Sequence, residues 1–83
     1  MALAFIAITT TPAMEQKVYT SLLETPEVVE ASPLFGIYDL IAKVECNDIG
    51  KVVVEKIRKI PGVIGTNTLE VAQIEGMPSY YRQ

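Results

Sequence analysis

The sequence predicts a small α+β fold in which strands and helices follow the order βαββαβ. Short apolar runs bounded by turn residues alternate with segments whose apolar residues recur every three to four positions. The chain has 83 residues and is 49% hydrophobic, which suits one small domain spanning residues 1–83. It holds one cysteine and no histidine, so neither a disulfide nor a structural zinc site is expected to support the fold. We therefore expect oligomerisation to supply the missing support.

The first half of the chain predicts a strand, a helix and a second strand. Residues 3–8 are continuously apolar, which is typical of a strand buried on both faces. Thr11 is a good N-cap and Pro12 suits the first helical position, so we expect the first helix to begin there and to stop before Pro26. Residues 28–34 predict the second strand, and the proline within it indicates an edge strand or a bulge, because proline cannot donate to a ladder.

The second half predicts a strand, a helix and a last strand. Residues 40–46 alternate in polarity and form the third strand, which pairs with the second through a hairpin. Asn47 and Asp48 cap a second helix, which Pro61 and Gly62 end. Val54 lies outside the apolar stripe of this helix, and residues 68–74 predict the fourth strand.

This order of elements is the ferredoxin-like arrangement. Right-handed connections place both helices on one face of the sheet and leave the other face uncovered. The uncovered face still carries apolar side chains, such as Ile41 and half of those in residues 3–8. Leaving each of them in water forfeits about 1.5–3 kcal/mol. We therefore predict that a second copy of the chain covers this face in a homodimer.

The turn between the second and third strands is the leading candidate for a functional site. It contains Gly36, which permits a positive φ angle, and Asp39, which can accept hydrogen bonds from a cationic group. Glycine and aspartate are also ordinary turn residues, and the carboxylate could simply cap nearby amides. Both interpretations remain open at this stage.

Charge and hydropathy exclude several other roles. Ten acidic and seven basic residues give a net charge of −3, which disfavours direct binding to nucleic acid. The apolar run at residues 2–8 lacks a basic leader and is too short to span a bilayer, so we expect a cytoplasmic location. No cofactor and no metal are expected.

Four segments make the whole chain resemble the RAM domain, the effector-binding half of the Lrp/AsnC family of transcription regulators. They are PEVVEA at 26–31, GIYDL at 36–40, IPGV at 60–63 and TNT at 66–68. Family members normally begin with a helix-turn-helix DNA-binding domain, whereas this chain starts at its first strand. The resemblance therefore implies a stand-alone RAM protein that binds an effector and does not bind DNA directly.

The resemblance also implies partners and a ligand site. Paired sheets would form a dimeric α/β barrel, and dimers would assemble into an octamer or decamer ring. Free amino acids would bind in clefts between dimers. The ligand-binding residues carried over to this chain are Gly36, Ile37, Tyr38, Asp39, Thr66, Thr68 and Leu69.

Each of these residues has an expected role. Gly36 would bring its backbone close to the ligand, Tyr38 would pack on the ligand or order the turn, and Asp39 would accept hydrogen bonds from the ammonium group. The hydroxyls of Thr66 and Thr68 would donate to the ligand carboxylate, although threonine is also common in strands for its β-branching. Leu69 would form part of the wall. Ile37 replaces the polar residue often found in the turn, which favours an apolar ligand or indicates a degraded pocket.

Three functions are compatible with these observations. The first is a non-catalytic, amino-acid-responsive oligomer that acts alone or together with full-length Lrp/AsnC-type regulators. The second is a small dimeric α/β-barrel enzyme of the cofactor-free monooxygenase or isomerase type, but the histidine common in such sites is missing here. The third is a purely structural assembly module.

Overall fold

The computed structural model describes residues 1–82 and has the predicted βαββαβ order. Its elements are β1 (Ala2–Thr10), α1 (Glu15–Leu23), β2 (Val28–Pro33), β3 (Leu40–Cys46), α2 (Ile49–Val52, continued by a π-helical stretch Val53–Ile57) and β4 (Val63–Glu70). The four strands form one antiparallel sheet in the order β2-β3-β1-β4. This is the ferredoxin-like α+β fold that the sequence predicts.

Strand β1 lies in the middle of the sheet and supplies the centre of the core. Its side chains Ile6 and Ile8 have no exposed surface and cluster with Val18 and Leu22 of α1 and with Ile57 of the π-helical stretch. Side chains alternate along a strand, so the intervening residues of β1 lie on the opposite, helix-free face. Within one chain, β1 is therefore fully covered on the helix side only.

The start of α1 differs from the prediction. The helix begins at Glu15, its N-cap is Met14, and no side chain caps it. Thr11 instead lies beyond the end of β1, where its amide donates to the carbonyl of Gly62 over 2.8 Å. Ala13 has a φ angle of +70°, and the amide of Met14 donates to the carbonyl of Thr11 over 3.0 Å. Residues 11–14 therefore form a turn, and the predicted capping role of Thr11 is wrong.

Gly62 makes this junction possible. Its φ angle is +100°, a conformation that side chains with a Cβ rarely adopt. A Cβ at this position would also come within 3.0 Å of Met14 Cβ and Val18 Cγ2. The turn after the π-helical stretch therefore packs directly against the start of α1.

Strand β2 is both an edge strand and bulged. Val28 lies opposite Val44, but Glu30 lies opposite Lys43, so one extra residue is inserted in β2. As a result Val28 and Ala31 both pack against the core, where strict alternation predicted opposite faces. Strand β3 has the predicted bounds.

The second helix begins as predicted and then changes pitch. The carboxylate of Asp48 accepts a hydrogen bond from the Lys51 amide over 3.1 Å, which confirms the cap. The π-helical stretch that follows adds residues per turn. Val52 and Val53 are consequently both buried, while Val54 is exposed.

The fourth strand begins earlier than predicted. Residues 68–74 predicted the strand, whereas β4 spans Val63–Glu70, so the predicted bounds are wrong at both ends. Pairing with Ala4 to Thr10 of β1 extends β4 back to Val63.

Candidate functional site

The turn between β2 and β3, residues 34–39, is tied to three strands at its base. The amide of Leu34 donates to the carbonyl of Asp39 over 2.9 Å, and the amide of Asp39 donates to the carbonyl of Ile8 over 2.9 Å. The tip, by contrast, projects from the sheet with Phe35 and Ile37 exposed. The turn thus combines an anchored base with an open, apolar tip.

The carboxylate of Asp39 fastens this turn to the end of β1. Its Oδ2 atom accepts hydrogen bonds from the amide of Thr10 over 2.8 Å and from the Thr10 hydroxyl over 3.3 Å. Thr10 is 4% exposed, so these bonds satisfy polar groups at a buried position. Asp39 therefore has a structural role through Oδ2, and a ligand would have to use Oδ1.

Tyr38 reaches across the sheet to β4. Its hydroxyl oxygen accepts a hydrogen bond from the side-chain amide of Asn67 over 3.0 Å. Asn67 lies opposite Ala7 of β1, on the helix-free face. This bond holds the tyrosine hydroxyl beside the helix-free face.

Two residues of this arrangement, Thr10 and Asn67, were not among the predicted site residues. The register of β1 against β3 pairs Ile8 with Leu40 and so brings Asp39 close to Thr10, but these strands are far apart in sequence. Asn67 stands in the middle of the TNT segment, and alternation along β4 places it on the opposite face from its neighbours. Local patterns in the sequence therefore do not identify either residue.

The predicted residues of β4 divide between the two faces of the sheet. Thr66 lies opposite Ile8 and Thr68 opposite Ile6, which places both threonines on the helix side. Leu69 lies opposite Phe5 on the helix-free face and is 56% exposed. The structure therefore does not bring the two threonines and Leu69 together on one face of the sheet.

The glycine of the turn is required by its backbone conformation. Gly36 has a φ angle of +129°, and a Cβ built on it would meet nothing within 4 Å. Ile37 beside it is 87% exposed. Within one chain, neither residue lies against a neighbouring group that would close a pocket over the turn.

The clearest electrostatic pair lies outside the turn. Lys56 Nζ is 2.7 Å from Glu27 Oε2, and the hydrogen bond from this ammonium group lowers the pKa of the Glu27 carboxyl.

Among residues 1–82, no three acidic, cysteine or histidine side chains are grouped so as to hold a metal ion. No helix in the described part of the chain has the length and apolarity needed to cross a membrane.

The family model and the most similar solved structures indicate the same family. The family model described as the Lrp/AsnC ligand binding domain matches residues 3–75. The crystal structure of FFRP-DM1 is 40% identical to this chain, covers 87% of it, is itself covered completely, and superposes with a TM-score of 0.82. None of the curated proteins matches the chain.

Two regulators share the same fold. AsnC of E. coli is 30% identical over 95% of this chain, which spans 56% of AsnC, with a TM-score of 0.81. The transcriptional regulator NMB0573 of Neisseria meningitidis, solved as a complex with L-Met, is 19% identical over 98% of this chain, which spans 56% of that chain, with a TM-score of 0.77. At 19% identity, the similarity to NMB0573 concerns the fold alone. Fold, family model and AsnC agree, and the chain therefore belongs to the Lrp/AsnC family, whose regulatory, effector-binding domain it contains.

Proposed function

We propose that this chain is a non-catalytic regulatory module that binds a free amino acid beside the turn at residues 36–39. The observation that carries the proposal is the anchored pair in that turn. Asp39 is held by Thr10 through one oxygen, and Tyr38 is held by Asn67. A carboxylate fixed in this way is already oriented for an ammonium group, so little conformational entropy is lost on binding.

The two ends of the ligand find different partners in this proposal. Oδ1 of Asp39 accepts hydrogen bonds from the ammonium group, a charge-assisted contact that contributes about 1.5–3 kcal/mol. The hydroxyls of Thr66 and Thr68 donate to the carboxylate from the open side of β4. Ile37 and Leu69, both exposed in one chain, form apolar walls for the ligand side chain. Apolar walls favour an apolar amino acid.

Neighbouring chains complete the site. The tip of the turn is exposed, and the largest depressions described on one chain lie elsewhere, such as that between Pro26 and Val52. The helix-free face offers half-buried Leu3, Phe5 and Ile41 for a second sheet. We propose a dimer through this face and a ring of dimers, an octamer or a decamer, that closes a cleft over the turn.

A structural neighbour supports an amino acid as the ligand. NMB0573 was solved as a complex with L-Met, and it shares the fold of this chain. We extend this ligand class to the present chain and propose that it acts alone or by assembling with full-length Lrp/AsnC-type regulators. Direct contact with nucleic acid is not part of the proposal, since the chain carries a net charge of −3.

The test compares two identical changes at different places. Asp39→Asn keeps an oxygen that can accept from the Thr10 amide but removes the negative charge, so we expect the fold to persist and amino-acid binding to be lost. Asp48→Asn makes the same change at the α2 cap, where asparagine caps as well as aspartate, and should leave binding intact. Native mass spectrometry and thermal shift against a panel of amino acids measure both. If no amino acid binds the wild type, or if both variants bind equally well, the proposal is wrong.

A further inference from the structure

The chain continues beyond β4 as an arm, defined here as residues 71–82. Its base is held by the amide of Val71, which donates to the carbonyl of Leu3 over 2.8 Å. It bends once, where the amide of Met77 donates to the carbonyl of Ile74 over 3.1 Å, and it contains no helix or strand. The family model ends at residue 75, so the outer part of the arm lies beyond the matched region.

The outer part of the arm has the composition of a binding segment. Tyr80 and Tyr81 are 77% and 83% exposed. The guanidinium carbon of Arg82 lies 5.5 Å from the centre of the Tyr80 ring. Tyrosine and arginine are enriched at the centre of protein interfaces, where their large side chains become desolvated. Two exposed aromatic rings and one cation thus stand together at the end of a segment whose residues 72–82 are all exposed.

A depression of about 610 Å³ with complementary chemistry lies at the start of α2. Pro26, Cys46 and Val52 provide apolar surface in it. Four carboxylates and two ammonium groups line it as well, so the depression is acidic on balance. No residue of the arm contributes to its lining.

One carboxylate of this depression lacks part of its hydrogen bonding. Glu27 Oε2 bonds Lys56 Nζ over 2.7 Å, whereas Glu27 Oε1 is buried without a partner among residues 1–82. Because Oε1 is buried, a second chain meets the depression at the carboxylates of Glu45, Asp48 and Glu55 instead, which belong to exposed residues. The fork of N–H groups of a guanidinium group matches such a carboxylate.

We propose that the tip of the arm, Tyr80 to Arg82, seats in this depression of a second copy of the chain. The rings cover the apolar surface, and the guanidinium group of Arg82 donates to the exposed carboxylates that line the depression. The arm base and the depression lie at the same end of the sheet, since Ala2 pairs with Cys46 and Ala4 with Glu70. In a twofold dimer the exchange is reciprocal, so each chain gives one arm and receives one.

This contact is separate from effector binding. The turn at residues 36–39 lies at the other end of the sheet, beside the pairing of Ile8 with Leu40. The inference therefore concerns assembly alone, and amino-acid binding can fail without affecting it.

The single native cysteine allows a direct test. In the Tyr81→Cys variant, mild oxidation should join the introduced thiol to Cys46 of a second chain, giving a species of doubled mass on a non-reducing gel. Mass spectrometry of the digested product identifies which two positions are joined. Gln73→Cys, at the base of the arm, is the control and should not form this link. A link within one chain, or a link between two Cys46 residues alone, overturns the proposal.

A second measurement does not depend on a new cysteine. We expect Arg82→Glu to raise the dimer dissociation constant about tenfold at low salt in sedimentation equilibrium, an effect that salt should weaken. Arg58→Glu makes the same charge change at an exposed residue after the π-helical stretch and should have little effect. Equal dissociation constants for the two variants, or a wild type that sediments as a monomer, would refute arm exchange.

Discussion

The two faces of the sheet are made from the same strands, but the chain covers only one of them. On the helix side, Ala4, Ile6 and Ile8 of β1 have no exposed surface. On the helix-free side, their neighbours Leu3 and Phe5 are only half-buried. Both sets are apolar, so composition does not distinguish them. The difference lies in the presence or absence of α1 and α2 above them.

Residues on the helix side thus stabilise the fold of one chain, whereas residues on the helix-free side are available to contact a second chain. A small domain has a total stability of about 5–15 kcal/mol, and each large apolar side chain left in water forfeits about 1.5–3 kcal/mol. A substitution on the helix side should therefore lower the free energy of unfolding of the single chain. A substitution on the helix-free side should instead change its assembly.

The largest effect is expected for Ile6→Ala, which leaves a cavity under both helices. Similar deletions of buried aliphatic groups cost about 2–5 kcal/mol in unfolding free energy. Urea denaturation followed by circular dichroism measures the loss. Phe5→Ala is the matched change on the opposite face, and its effect should depend on protein concentration. If Phe5→Ala costs as much as Ile6→Ala in dilute, monomeric protein, the two faces do not differ as described.

Phe5→Lys should break the assembly while leaving the fold intact. A charge in the middle of the helix-free face would be buried without a partner in any sheet-to-sheet dimer, which is strongly unfavourable. We expect sedimentation velocity to show monomers with an unchanged circular dichroism spectrum. Gln16→Lys, which adds the same charge on the exposed side of α1, is the control. An unchanged oligomer for Phe5→Lys would show that this face is not the interface.

An intermediate effect is expected for Asp39→Ala, at the edge where the turn meets β1. This change leaves the buried amide and hydroxyl of Thr10 without their acceptor, at a cost of about 1.5–3 kcal/mol. Asp48→Ala removes an exposed helix cap and should cost about 1 kcal/mol. Thermal unfolding of both variants gives the comparison. A smaller loss for Asp39→Ala than for Asp48→Ala would contradict the anchoring role of Asp39.

The smallest effect concerns the ion pair between Glu27 and Lys56, and it depends on pH. Because the pKa of Glu27 is lowered from its ordinary value of 4.5, the folded chain binds this proton less readily than the unfolded chain. The pair thus stabilises the protein above that ordinary value, and the contribution is lost as pH falls through the lowered pKa. The melting temperature of the wild type should consequently fall more steeply in acid than that of Glu27→Gln. The pair is surface-accessible, so the difference should be small.

Local patterns predicted much of this molecule. The alternation in residues 40–46 defined β3 correctly, Asp48 caps α2 as expected, and Pro33 lies in a bulged edge strand. Each of these features depends on residues close together in the chain. The predicted start of α1 at Thr11 was wrong because Ala13 has a φ angle of +70°, which lies outside the right-handed helical region, so the helix begins only at Glu15.

The sequence by itself determined the order of the elements, the apolar character of both sheet faces and the position of the turn at Gly36 to Asp39. Only the tertiary structure decided the register of β4 against β1, and with it which face each of its side chains occupies. It also joined Asp39 to Thr10 and Tyr38 to Asn67, each pair separated by 29 residues. Periodicity specifies local conformation, whereas pairing between distant segments depends on how the whole sheet packs.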